Sequence, residues 1–341
     1  MNLLRKPSTH AARLERWLGA DQVTALSAAM RDFYWHIPIG NVPGKVYAYK
    51  GDFFGAIRGG SFANLSDLIA SATQGGRREF PFQKIGTTGV AAGTNSLWRV
   101  GNQPVAGAAA AAAPGGTAPT DSTTGAFNFD NPASGDTQHL VSGFPLASVA
   151  GNTLLLYDRL FAVSKTMNST ATEAVTGTPS RYQSTTQGQE NSAEGNFLFV
   201  EVGTALASTA HNWTTCLYTD EAGNASTLPS LTGNSGAIVN RLDHPTSQWF
   251  APLASGDRGI RTLTQMQCSA AVATGAVDFV IGHPLAWMPC PVANLVCVFD
   301  GINSAFNLAR VFDDACLAFL EVSKPSTSAT TYNGSFTTVR G

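Results

Sequence analysis

The chain has 341 residues, of which 43% are hydrophobic and only 13% are charged, with a formal net charge of −2. An ordinary soluble domain carries roughly 25% charged residues. So long and apolar a chain has material for a sizeable core and is not globally disordered, and its near-neutral balance offers no field to draw in a polyanion. Charge is unevenly distributed: residues 1–60 hold eight basic and four acidic groups, residues 61–341 hold thirteen and nineteen, and no lysine lies between Lys165 and Lys324. A body so poor in ionic groups must be wetted by neutral polar side chains or lie against copies of itself. Both readings favour an assembling structural protein over a free cytosolic enzyme.

Residues 9–35 read as two helices, with Leu14, Leu18, Val23, Leu26, Met30 and Phe33 on one face and Asp21 capping the second. After the turn residues Pro38, Gly40 and Pro43, residues 45–58 read as a hairpin around Lys50-Gly51-Asp52, and 63–73 as one short helix. From about residue 75 the texture changes to Ser, Thr, Gly, Ala and Asn, punctuating short runs of β-formers. The runs are 97–100, 153–163, 196–202, 212–219, 236–240, 259–270, 275–283 and 315–322, with a hairpin turn at 220–224. Ile260, Leu263 and Met266 break strict alternation, which fits either a bulge or a partly buried strand. Residues 101–136 form a low-complexity insert in which Pro104, Pro114, Gly115 and Gly116 fence in a run of alanines. It reads as an extended arm or loop, suited to strapping a neighbouring subunit.

Chemistry is thinly represented. His283, Cys290 and Cys297 are spaced by seven, and the five cysteines lack the tight pairs of a zinc site or a disulfide framework. They read as buried thiols. No G-x-S-x-G elbow is present, and His211, His244 and His283 lie in no catalytic motif. Asp313 and Asp314 read as flanking a strand, and Glu190 and Glu194 as solvated loop residues. Trp249, Phe250 and Trp287 sit among proline and turn residues, either plugging the ends of a sandwich or anchoring an intersubunit contact. No run of about 18 apolar residues predicts a membrane span. The opening MNLLRKP lacks the features of a secretory signal, so export by that route is not expected.

Segments 152–183, 211–224, 259–289 and 315–325, within a span of roughly 60–341, resemble in overall texture the structural proteins of tailed-bacteriophage virions, of the capsid or capsid-decoration kind. The resemblance implies a protein working in the virion, assembled in the host cytoplasm, with no active residues carried over. The shell-forming fold of such phages would require a long spine helix, whereas 153–167 reads as a strand. The expected architecture is therefore mainly β: an antiparallel β-sandwich or jelly-roll-like body at 151–341. Before it come a basic helical head with a hairpin at 1–60, and an arm with the first strands at 61–150. No enzyme activity, metal or cofactor is expected. The expected partners are copies of the chain and other capsid proteins, with no membrane. Any nucleic-acid contact would fall to the head, whose Arg5, Lys6, Arg13 and Arg16 are candidates for docking, alongside Trp249, Phe250 and Trp287. The competing reading is a phage tail or surface adhesin gripping carbohydrate through Trp213, Trp249 and Trp287.

Overall fold

The computed structural model describes residues 62, 65–89, 91–302, 308–322 and 326–341, with the backbone of two strands at 34–38 and 46–50. The expected helices at 9–35 lie outside the described residues, except that residue 34 begins a strand. That strand, β1 (Tyr34–Pro38), pairs antiparallel with β2 (Val46–Lys50). The turn and second strand of the expected hairpin around Lys50-Gly51-Asp52 lie outside the described residues.

Among the described residues 41% are strand and 3% helix. The helix α1 (Leu65–Thr73) buries Leu68 against Phe62, Val141, Leu308 and Val339. A six-stranded antiparallel sheet runs in the order β16 (Phe299–Asp300), β6 (Gln138–Ala147), β19 (Thr331–Arg340), β3 (Arg77–Ile85) and β5 (Asn102–Gln103), with β17 (Arg310–Val311) also on β6. A five-stranded sheet runs β4 (Asn95–Ser96), β18 (Leu317–Val322), β7 (Asn152–Thr166), β15 (Ala276–Cys290) and β9 (Phe197–Thr204). A four-stranded sheet follows as β12 (Ala225–Thr227), β11 (Leu217–Asp220), β14 (Ile260–Met266) and β8 (Glu173–Ala174), and β10 (Asn212–Trp213) pairs with β13 (Leu231–Thr232). The expected strands at 97–100 and 236–240 are turns instead. At the first of these, the Trp98 carbonyl accepts from Gly107 N rather than from a strand partner.

The centre of the molecule is β7 against β15, fifteen residues each. Period-two alternation sends successive side chains of β7 to opposite faces. Leu154 and Leu156 join a cluster with Phe80, Phe82, Met288, Phe319 and Phe336, drawn from the five- and six-stranded sheets. Leu155 and Tyr157 join Trp98, Phe197, Phe199 and Val280 in a separate cluster. A register shift in the β7–β15 pairing between Ile281 and Gly282 skips Leu160, so Leu160 and Phe161 both enter the cluster formed with the four-stranded sheet. In β14 the pairing with β11 skips Arg261 and Thr264, which puts Ile260, Leu263 and Met266 on one buried face at a spacing of three. The turn at 220–224 joins β11 to β12 as expected, with Asn224 N donating to Asp220.

The insert does not leave the molecule. Beyond the end of β18, the far edge of β7 is completed by the arm: Ala162 N donates to Thr117 O at 2.8 Å, Thr117 N to Ala162 O at 2.7 Å, and Ser164 N to Ala111 O at 2.9 Å. The arm thus straps its own sheet, where an uncharged backbone finds an unpaired edge. Gly107 lies against the Trp98 ring, and a Cβ there would stand 2.2 Å from ring carbon Cε2. Gly107→Val is therefore expected to lift the arm off Trp98, lowering stability by about 1–3 kcal/mol and opening residues 101–120 to limited proteolysis. A variant as protease-resistant as the parent would show that the arm is not held at this point.

Candidate interaction surface

Trp249 and Phe250 lie in the segment that ends at Ala251, whose N–H donates to Leu198 O of β9 at 2.7 Å. Trp287 stands on β15, opposite Leu155 of β7. It belongs to a regular strand that continues through Pro284 and Pro289 to Cys290, and not to a turn as its prolines suggested. The register skips Leu285 between Pro284 and Ala286, which accommodates the first of these prolines. The three aromatics meet: the Trp249 ring is 4.6 Å from Phe250 and 5.1 Å from Trp287, edge-on at 88°. Inward, Trp249 packs at 4.9 Å on Phe197, which continues to Phe199 and Tyr157. Phe250 remains 37% and Trp287 42% exposed. Rings anchored from below and exposed above have little rotamer entropy left to lose on contact, the usual make-up of an interface anchor.

The segment after β15 adds an apolar surface that the sequence reading missed. Val292, Leu295, Val296 and Val298 are each at least half exposed. Asn294 N donates to Ala147 O and Cys297 N to Pro145 O, which pins the segment along β6. Against the expectation of buried thiols throughout, Cys297 is only half-buried, while Cys216, Cys268, Cys290 and Cys316 are buried. The apolar content of the segment was visible, but its attachment to β6 was not. Arg5, Lys6, Arg13 and Arg16 lie outside the described residues.

The other candidates are internal. Trp213 is 2% exposed and donates Nε1 to Asp243 Oδ2 at 2.9 Å, so it is not available to a sugar. His211 Nε2 faces both Asp243 oxygens at 3.0 and 3.1 Å, and Nδ1 faces Thr209 O. Burial lowers the His211 pKa, but the hydrogen bond and charge of Asp243 outweigh it, and the net shift is upward. His283 stacks on Tyr182 at 3.9 Å with its Nδ1 on Asn196, and burial lowers its pKa to about 3. His244 is buried, with its pKa lowered to about 4 by desolvation. No group of three or more His, Cys, Asp or Glu among the described residues could hold a metal ion.

Several of the scarce charges are buried in pairs. The consecutive residues Asp158 and Arg159 of β7 point to opposite faces. Asp158 accepts from Arg181 Nε and Nη2 at 2.8 and 2.7 Å and from Cys316 N. Arg159 makes a two-pronged pair with Glu201 at 2.7 and 3.2 Å, and Arg99 pairs with Asp278 beside it. The Arg159 guanidinium also lies 4.8 Å from the Trp98 ring centroid. Burial opposes the charge on Arg159, but Glu201 more than compensates and raises its pKa. Burial raises the Glu201 pKa, and Arg159 reverses the shift to a net lowering. Asp278 is raised, first by burial and then by Glu201. Glu190 is also not a solvated loop residue, because it pairs with Arg310 at 2.9 Å.

No protein-family model, curated protein or solved structure matches the chain. No helix among the described residues is long and apolar enough to cross a membrane.

Proposed function

We propose that the chain is a structural component of a bacteriophage virion, a capsid subunit or a decoration protein, that assembles through surfaces of low charge. The observation that carries the reading is the anchored cluster of Trp249, Phe250 and Trp287, with Phe250 and Trp287 37% and 42% exposed on a chain in which charge is 13%. The pinned aliphatic segment at 292–298 supports it, because exposed apolar groups held rigidly are the material of protein contacts. A β-sandwich body fits the hydrophobic cluster shared by the five- and six-stranded sheets. The chain then works mechanically, with contacts repeated by symmetry over many copies. Catalysis is not part of this reading. The adhesin alternative keeps Trp249 and Trp287 but loses Trp213 to the interior.

The test uses the full chain and a Trp287→Ala, Phe250→Ser double variant. The parent should form large assemblies or bind purified phage shells in sedimentation. The double variant should keep its thermal unfolding midpoint within a few degrees and lose association by about tenfold or more. A parent that stays monomeric and ignores shells, or a variant that associates as well as the parent, would overturn the proposal.

A further inference from the structure

The turn that carries the exposed aliphatic residues is bracketed by two cysteines. β15 belongs to the five-stranded sheet and β16 to the six-stranded one, and the chain reverses between them. Two observations fix the register of the returning chain. Gly143 of β6 pairs with Phe299 of β16, and Cys297 N donates to Pro145 O at 2.9 Å, which continues the same antiparallel pairing two residues back. Cys297 therefore shares the inward face on which Phe299 is buried. From the opposite sheet, Met288 of β15 reaches the same place: a Cβ on Gly143 would stand 2.8 Å from Met288 Cε and 3.8 Å from Phe299 Cβ. Cys290 follows Met288 by two residues, and both are fully buried in the cluster that Phe299 joins. Because the chain is reversed, two steps on from Met288 meet two steps back from Phe299. Cys290 comes opposite Cys297.

The electrostatics agree with this register. Burial is the main cause that raises the Cys290 pKa, to about 11, and the charge of Cys297 adds to it, an effect of near neighbours. Cys297 is half-buried, whereas the other four cysteines are buried. The pair thus has one sulfur that solvent reaches and one sheltered behind it.

We propose that Cys290 and Cys297 join in a disulfide when the protein enters an oxidising medium, clasping the two ends of the segment at 291–296. With glutathione disulfide as the oxidant, the Cys297 thiolate attacks one of its sulfurs and expels a glutathione thiolate. Cys290 then gives up its proton and displaces the second glutathione from Cys297. The net change breaks one S–S bond and makes another: both cysteines are oxidised, and two glutathiones leave reduced, carrying the two protons. The closed ring holds Val292, Leu295 and Val296, each exposed, in one arrangement. The inference goes beyond the assembly reading and does not need it.

The test equilibrates the folded full chain with mixtures of reduced and oxidised glutathione and traps free thiols with N-ethylmaleimide. Chymotrypsin, which cuts after Leu295, then separates the two cysteines unless a disulfide joins them. Mass spectrometry should find the Cys290 and Cys297 peptides linked. The link should form at least about tenfold more readily in the folded chain than in the chain unfolded in urea at the same glutathione ratio, because the fold holds the sulfurs together. Cys290→Ser should leave Cys297 as a mixed disulfide with glutathione, and Cys297→Ser should leave Cys290 reduced. Linkage no better than in urea, glutathione retained on Cys297 of the parent chain, a Cys216–Cys268 pair in its place, or Cys297 joined between two copies would each overturn the proposal. Sedimentation reads particle association separately, so either result leaves the assembly reading to its own test.

Discussion

Arg159→Met is expected to lower the unfolding free energy by roughly 3–5 kcal/mol, the range found when one partner is removed from a buried ion pair. The methionine fills much of the space of the arginine stem, so the loss is electrostatic. Glu201, with no exposed surface, keeps the Ser96 hydroxyl and, as its cation, the more distant Arg99 at 3.8 Å, and Asp278 loses the Arg159 charge at 3.9 Å. Asp278 Oδ1 is already buried without a partner, so the cluster has little slack to absorb the change. Urea unfolding followed by tryptophan fluorescence measures the effect. Arg159→Met combined with Glu201→Leu should be less destabilised than Arg159→Met alone, because the stranded carboxylate is gone. A single variant within about 1 kcal/mol of the parent would mean that water or a side-chain shift solvates Glu201 in its place.

Acid is expected to weaken the fold steeply between about pH 6.5 and 4.5. His283 and His244 have pKa values lowered to about 3 and about 4 by burial, while unfolded histidine titrates near 6.5. The unfolded chain therefore binds more protons across this window, and stability falls as pH falls. Each histidine contributes its stability above the unfolded value and loses it down to the folded one. At about 1.4 kcal/mol per pH unit for each group, the two together remove roughly 3–5 kcal/mol over the window. His139, lowered mainly by burial, acts in the same direction; His211, raised by Asp243, acts against it. Denaturant midpoints taken from pH 7 to 4.5 give the slope, and His283→Gln should remove about half of it. A flat profile would require these imidazoles to be charged, or open to solvent, in the native state.

The central strands were legible because their side chains speak for themselves. Residues 153–163 and 275–283 are apolar runs, and the spacing of three in Ile260, Leu263 and Met266, which fits a bulge or a partly buried strand, is resolved by register shifts that place all three on one face. β19 was not legible. Its inward position at Gly334 admits no side chain, since a Cβ would meet Phe144 O at 2.3 Å and the Phe82 ring at 2.9 Å, so the alternation that marks a strand is interrupted where packing is tightest. β3 hid behind two arginines and a proline, although Phe80, Phe82 and Lys84 alternate inward. Of the four tryptophans and phenylalanines weighed for binding, three converge and Trp213 does not, because its fate depends on Asp243 thirty residues later. The scarcity of charge was evident from composition. That Arg159, Glu201, Asp158 and Asp278 lie inside was not, since each partner arrives from a different strand or loop.

The arm at 111–117 has a bearing on how such a protein tolerates crowding. In the virion role proposed above, a molecule present in many copies, with long strands and few ions to hold neighbours apart, would be prone to zippering backbone to backbone into open-ended fibres. By hydrogen-bonding to Ala162 and Ser164, the arm uses up the length of β7 that β18 leaves bare. In the assembly proposed above, copies would then meet through side chains, whose shapes fix an angle and a stopping point, while the route to unlimited stacking along this strand is shut from within the same chain.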